Sequence, residues 1–337
     1  MISGNPSVKF ELISQMIAQE NNQMTVTELC AIAHVSRSGY YRWVDAAPLR
    51  EEREKADQAN FELILWAYQK RGYTKGARGI YMCLLHREPA VIMNLKKIRR
   101  LMDKYGLMCP IRKANPYRRM AKALQTSHVA QYLLERKFRE FGPRMVLLTD
   151  ITYIPYGSTF AYLSTVLDAF TKQILAYVLS ESLEVDFVLE TVNQLIEKHG
   201  VSLKAETLIN SDQGCHYTSY SFIQLIKDKG LRQSMSHRGN CWDNAPQESF
   251  FGHMKDHIMR KITSCTEFSQ VQLIVDDYMD YYNKERYQWD LAKLSPDEFY
   301  QFVTTKVYPI DVRNPPSADS FLHVKPVDVQ NPMDHVE

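Results

Sequence analysis

From residue 143 onward the chain alternates short β-branched runs with longer helical patterns, and that alternation restricts this part to an α/β sheet domain. "RMVLLTDITYIPYG", "FAYLSTVLDAFTKQILAYVLS" and "AETLINSDQG" are apolar or β-branched stretches bounded by turn residues. Between them, "LEVDFVLETVNQLIEKHG" repeats its apolar residues at helical spacing. Three strands, a helix, a strand, a helix ("SYSFIQLIKDKG"), a short strand ("LRQSMS") and a further helix predict a mixed sheet with helices packed on it. A later helix, "FSQVQLIVDDYMDYYNKERYQ", is expected to pack on the sheet through Tyr278, Tyr281 and Tyr282, with Trp289 just beyond it.

Upstream of the sheet the patterns are all helical. Residues 7–46 read as three short helices. The first carries Phe10, Ile13, Met16 and Ile17 on one stripe. The second, capped by Thr25 or Thr27, turns Leu29, Ile32 and Val35 inward, and Ser36 opens the third. "VTELCAIAHVSRSGYYRW" has the form of a helix-turn-helix, with Arg37, Ser38, Tyr40 and Arg42 suited to phosphate and base-edge contact. An ordinary three-helix packing unit has the same pattern. "AAPLREEREKADQ" reads as a charged connection marked by proline. A second helical unit at 57–110 ends in "NLKKIRRLMDKYG", capped by Asn94 and stopped at Gly106, which leaves Lys96, Lys97, Arg99 and Arg100 outside.

Net charge is only +2, from 41 basic and 39 acidic residues, so the balance itself excludes little. Its distribution is more informative: between Lys96 and Lys122 stand ten Lys or Arg and one acid. Overlapping that block, the segment 111–140 with Arg112, Lys113, Arg118 and Arg119 reads as a DNA-tracking linker or a solvated one. The sheet domain with its last helices takes up 141–303, and 304–337 reads as an extended tail. Six cysteines without a CxxC pair suit a reduced, cytoplasmic protein with buried thiols. No run reaches membrane-spanning length, and no signal peptide opens the sequence, so no membrane partner is expected. Cys215, His216, His237 and Cys241 lack the paired spacing of a zinc site and read as core thiols and loop histidines.

Three acids stand out in the sheet domain. Asp150 lies within the first strand, where an acid is costly to bury without a partner. Asp212 follows the fourth strand, just before a Gly turn. Glu248 lies one turn into the helix of "SHRGNCWDNAPQESFFGHMKDH", where Asn244 suits the N-cap, Gln247 a capping box, and Pro246 the first turn. Taken singly, a strand-end aspartate caps a turn and a helix glutamate is solvated. Together they offer oxygen donors from three elements, as a two-ion Mg²⁺ site for phosphoryl transfer requires. Asp168, in "TVLDAFT", reads as a structural acid.

Thirty-five residues separate Asp212 from Glu248, and Lys255 follows seven positions later on the same helix face. "TDITYI", "SDQGCHYTS" and "SHRGNCWDNAPQESFFGHMK" closely resemble the DDE transposases of the insertion-sequence-three family, and more distantly retroviral integrases. The resemblance extends through "VSRSGYYRW", "IRRLMDKYGL" and "YYNKERYQWDLAKLSPDEF", over about residues 10 to 300. "RGYTKGARGIYMCLL" follows the family's pattern only loosely. What the resemblance implies is an RNase H-like catalytic core preceded by helix-turn-helix-type DNA-binding modules. Asp150, Asp212 and Glu248 would be its metal ligands, for two Mg²⁺ ions that Mn²⁺ can replace. Lys255 would contact DNA near the reacting end, and Asn244 would organise the loop before the catalytic helix at the DNA-facing side. Implied partners are double-stranded DNA (element ends and target), further copies of the chain to at least a dimer, and a fused upstream-frame protein. The implied location is the bacterial cytoplasm, at the nucleoid. A catalytically inactive DNA-binding regulator and a structure-directed nuclease are the competing readings.

Overall fold

The computed structural model describes residues 5–73, 75–109, 141–203, 206–235 and 244–322. The chain divides into two compact units, Met1–Trp66 and Ala67–Glu337.

In the first unit, helices α1 (Pro6–Ile17), α2 (Val26–Ile32) and α3 (Arg37–Asp45) each start at a side-chain cap. Asn5 accepts from the Ser7 amide and Ser36 from that of Gly39. Thr25, rather than Thr27, forms a capping box with Glu28. Such caps satisfy amides that a helix start leaves unpaired, at about 1 kcal/mol each. Ile13, Leu29, Cys30, Ala33 and Tyr40 form the core of this unit, with Phe10 and Trp43 against it. Ile32, expected inside, is 58% exposed, because α2 turns Cys30 and Ala33 to the core instead. Met16 and Ile17 are also largely outside. The stretch expected as a charged connection is helical: α4 (Ala47–Gln69) runs through it. Pro48 lies in its first turn, where the missing N–H is harmless, and its Glu, Arg and Lys residues are good helix formers.

The second unit is built on a five-stranded sheet. β1 (Val146–Tyr156), β2 (Thr159–Asp168) and β3 (Ile174–Ser180) pair antiparallel. β4 (Leu208–Ser211) pairs parallel with β1, and β5 (Arg232–Met235) parallel with β4, which gives the order β3-β2-β1-β4-β5. Both faces are covered. Val146, Leu148, Ile154 and Tyr156 meet Phe250, Met254 and Ile258 of α9 (Ala245–Ile262) and Val275 and Tyr278 of α10 (Phe268–Lys284). On the opposite face Leu147 and Ile209 meet Val188, Val192 and Leu195 of α7 (Asp186–His199) and Phe222 and Ile226 of α8 (Tyr220–Asp228). Burial on two sides explains why these strands read as near-continuous apolar runs rather than alternating ones.

Among the described residues, two short helices precede the sheet in this unit, α5 (Ala77–Leu85) and α6 (Leu95–Lys104). Asn94 caps α6, and Gly106 after it adopts the left-handed conformation that stops a helix. Just before α5, Arg71 reaches three acids of the α10 region: Asp277 at 2.8 Å, Asp280 at 3.1 Å and Glu285 at 2.7 Å. The Tyr73 hydroxyl donates to Asp277 at 2.6 Å. After β5 and α9, α11 (Pro296–Thr305) opens on a Ser295–Glu298 capping box. The chain beyond it, read as an extended tail from 304, folds back as far as it is described. Ile310 and Ala318 are buried against Phe299 and Phe302, because a few apolar residues between prolines suffice to cover one helix face.

Candidate active site

The sheet register brings two of the acids together. Leu148 of β1 pairs with Asn210 of β4; two residues further on stand Asp150, still on β1, and Asp212, just past the end of β4. Asp150 shares the parity of Leu148 and Ile154, so it lies on the sheet face that α9 covers. The Asp150 carboxylate accepts from the Ile151 amide at 2.8 Å. Asp212 begins a tight turn in which its Oδ1 accepts from the Gly214 amide at 2.9 Å. A Cβ at Gly214 would meet that same oxygen at 2.9 Å, so a side chain there would push the Asp212 carboxylate out of this turn.

Helix α9 supplies the third acid from its first turn. Asn244 stands at the N-cap position, but its side chain makes no cap bond; it donates to the Asp150 carboxylate instead. Gln247 makes no capping box either. It is fully buried, and its Nε2 donates to Thr165 Oγ1 on β2. Glu248, next along, is exposed, as is Asp212. Their charges nevertheless reach Asp150, whose carboxyl is pushed up to about 7. Burial is the main cause; the negative charges of Asp212 and Glu248 add to it, and the bonds from Ile151 and Asn244 oppose it. Lys255, two turns further on, has its ammonium lowered by burial and partly restored by the Asp150 charge, so it faces the same place.

This arrangement fits a hard divalent cation. All the donors are oxygens, and an Asp150 held against two like charges is relieved by positive charge. The Oδ1 of Asn244, buried beside Asp150, has no hydrogen-bond partner among the described residues. Among those residues, no three acidic, histidine or cysteine side chains are already drawn to metal-binding distance. The exposed carboxylates of Asp212 and Glu248 would therefore have to swing toward Asp150.

Other candidates are distributed differently. Asp168 is a structural acid: it is fully buried, and its Oδ2 accepts from the Arg144 amide and Nη1, both at 3.1 Å, and from Thr171 Oγ1 at 2.9 Å. Cys215 is exposed, not a core thiol, because it lies on the turn after Asp212. His216 fixes that turn, with Nε2 2.7 Å from the Leu183 carbonyl. Tyr278, Tyr281 and Tyr282 are buried as expected, whereas Trp289 remains 39% exposed beside Tyr81. In the first unit Arg37, Ser38 and Arg42 are exposed on α3. Tyr40 is not a surface contact: it is 5% exposed and packs between Phe10 and Trp43, because it shares with Trp43, three positions on, the helix face turned to Phe10. Lys96, Arg99 and Arg100 are exposed on α6 and Lys97 is half-buried, opposite buried Ile98, Leu101 and Met102. Arg112, Lys113, Arg118, Arg119, His237 and Cys241 lie outside the described residues. Sequence reading missed the Asn244–Asp150 and Gln247–Thr165 contacts; two amide side chains around a helix start were the available signal.

Residues 140–241 and 229–296 each match an integrase core domain family, and residues 55–115 match an HTH-like domain. With the mixed five-stranded sheet and helices on both its faces, these matches define an RNase H-like integrase core preceded by helix-turn-helix-type helices. The InsK protein of insertion sequence element IS150 in Escherichia coli strain K12 is 30% identical over 272 residues, which cover 81% of this chain and 92% of that one. The transposase InsF for insertion sequence IS3A of the same organism is 26% identical, over 84% of this chain and 96% of its own. The catalytic core domain of HTLV-2 integrase in complex with magnesium is a more remote likeness. It is 13% identical, with a TM-score of 0.37, over 48% of this chain and 99% of that one. The chain belongs to the IS3 family of insertion-sequence transposases.

Proposed function

We propose that the protein cleaves one strand at an end of its insertion sequence and joins the freed 3′-hydroxyl near the other end, with Asp150, Asp212 and Glu248 as the catalytic triad. One observation carries this reading: Asp150, half-buried on β1, has its carboxyl raised by burial and by the charges of Asp212 and Glu248, brought from two other elements. A structural acid would be paired, as Asp168 is. The triad would hold Mg²⁺, two ions with Mn²⁺ as substitute; when bound, they supply charge for the attacking and leaving oxygens at phosphorus.

The other roles belong to the chain's own side chains. Asn244 holds the Asp150 carboxylate in one orientation through its amide N–H. Lys255, facing the same charge, meets the phosphate next to the reacting end. Arg37, Ser38 and Arg42 on α3, and Lys96, Lys97, Arg99 and Arg100 on α6, bind the DNA of the element ends. The basic segment with Arg112, Lys113, Arg118 and Arg119 adds phosphate contacts whose strength falls with salt. Two ends joined together call for two copies at least, and an upstream-frame partner can be fused to the chain. The class of reaction places the work at bacterial DNA; among the described residues no helix is long and apolar enough to cross a membrane.

The test is strand joining on labelled DNA carrying the element ends, with Mg²⁺, comparing the natural chain with Glu248→Gln. Loss of joined product in the variant with DNA binding intact is expected. Equal joining by both proteins would remove Glu248 from the chemistry and dissolve the triad.

A further inference from the structure

We propose that Gln247 and Thr165 form a positioning pair that fixes the start of α9 over Asp150 and thereby sets where Glu248 stands; this rests on the triad reading above. Gln247 immediately precedes Glu248, and Thr165 is the residue that faces Asp150 across the β1–β2 register. One hydrogen bond, from Gln247 Nε2 to Thr165 Oγ1, therefore links the neighbour of one acid to the strand partner of another. Both residues are fully buried. The contact lies inside the layer between helix and sheet, not at its rim.

Physical chemistry explains why such a link is needed. The apolar contacts of Phe250 and Met254 hold α9 on the sheet, but the hydrophobic effect is non-directional and leaves helix rotation and sliding weakly defined. A carboxylate one residue along a helix is displaced by about 100° around its axis. Turning Gln247 straight down onto β2 thus sends Glu248 sideways, off the face that meets the sheet, and leaves it exposed as observed. A buried amide is an unusual choice at an interface that a leucine could fill. The Gln247 Oε1 has no partner among the described residues, so the residue is not there for a saturated hydrogen-bond pattern. What the amide adds is a single fixed bearing point directly opposite Asp150.

The experiment measures Mn²⁺ affinity by calorimetry and DNA strand joining on the full chain for Gln247→Met, Thr165→Val, the double variant and Thr165→Ser. Glu248→Gln serves as the control for the triad. Gln247→Met and Thr165→Val are each expected to weaken Mn²⁺ binding about five- to tenfold and to lower joining turnover at saturating DNA, with DNA affinity little changed and the melting temperature lowered by only a few degrees. The double variant should be no worse than either single one, since the two residues act through one bond. Thr165→Ser keeps the hydroxyl and should restore both readouts. Multiplying losses in the double variant, or Mn²⁺ affinity in Thr165→Val equal to the natural chain's, would overturn the pair. A Glu248→Gln chain that binds Mn²⁺ as tightly as the natural one would instead overturn the triad, and the pair with it.

Discussion

Two acids on neighbouring strands of the same sheet have opposite surroundings. Asp168, at the end of β2, sits opposite Leu147 in the register; Asp150 sits opposite Thr165, three positions along. Asp168 is fully buried and receives the Arg144 guanidinium, two backbone amides besides that of Arg144, and a threonine hydroxyl. Asp150 has one amide, one asparagine and two more negative charges for company. A fold places a carboxylate against like charges only at a cost in stability, so the contrast separates an acid kept for architecture from one kept for chemistry.

The comparison can be broken most directly at Asp150. Asp150→Asn should reduce strand joining about 10⁴-fold, roughly 5 kcal/mol of transition-state stabilisation, with DNA binding intact. A loss under tenfold would place Asp150 outside the chemistry. Next in size is Asp168→Ala, which strands a buried Arg144 and should lower unfolding free energy by about 3–5 kcal/mol in urea titration. A change below about 1 kcal/mol would mean that the two acids are not different in kind. Smaller still, Asp150→Asn without divalent cations should stabilise the chain by about 1 kcal/mol, seen as a melting temperature raised by a few degrees.

A dependence on pH extends the contrast to a base. His257 lies among the rings of Tyr73, Tyr278 and Tyr281, and its imidazole is lowered to about 4 by burial first and then by Arg286, His253 and Lys75. Because the folded value lies below the unfolded one, the unfolded chain takes up the proton first. Stability from this group is therefore complete above about pH 6.5 and declines as pH falls toward 4. His257→Phe should flatten the melting temperature over that window; an unchanged slope would assign it to other groups.

Much of this was legible in the sequence, and the reasons differ by residue. The positions of Asp150 on β1, of Asp212 after β4 and of Glu248 on α9 followed from strand and helix periodicity, which responds to burial on each face. Asn94 and Ser36 could be read as caps because capping is local in sequence. Gln247 could not be read: its partner Thr165 lies 82 residues away, and the same "APQE" letters satisfy a local capping box that the fold does not use. Tyr40 misled for a related reason, since a tyrosine beside arginines suits DNA contact and a small core equally well. The stretch at 46–58 reads as a connection from its charge and proline, although most of the same residues are strong helix formers.

The Arg71 cluster has a consequence for measurement along DNA. It fastens the segment before α5 to the α10 region, so the basic face of α6 belongs to the same compact unit as Asp150, Asp212 and Glu248. On the proposed reading, the surface that grips an element end and the site that cuts it keep a constant separation. Duplex DNA advances about 3.4 Å per base pair, so a constant separation amounts to a constant count of base pairs. The unit then acts as a ruler, and the place of cleavage is set by how far its two ends lie apart.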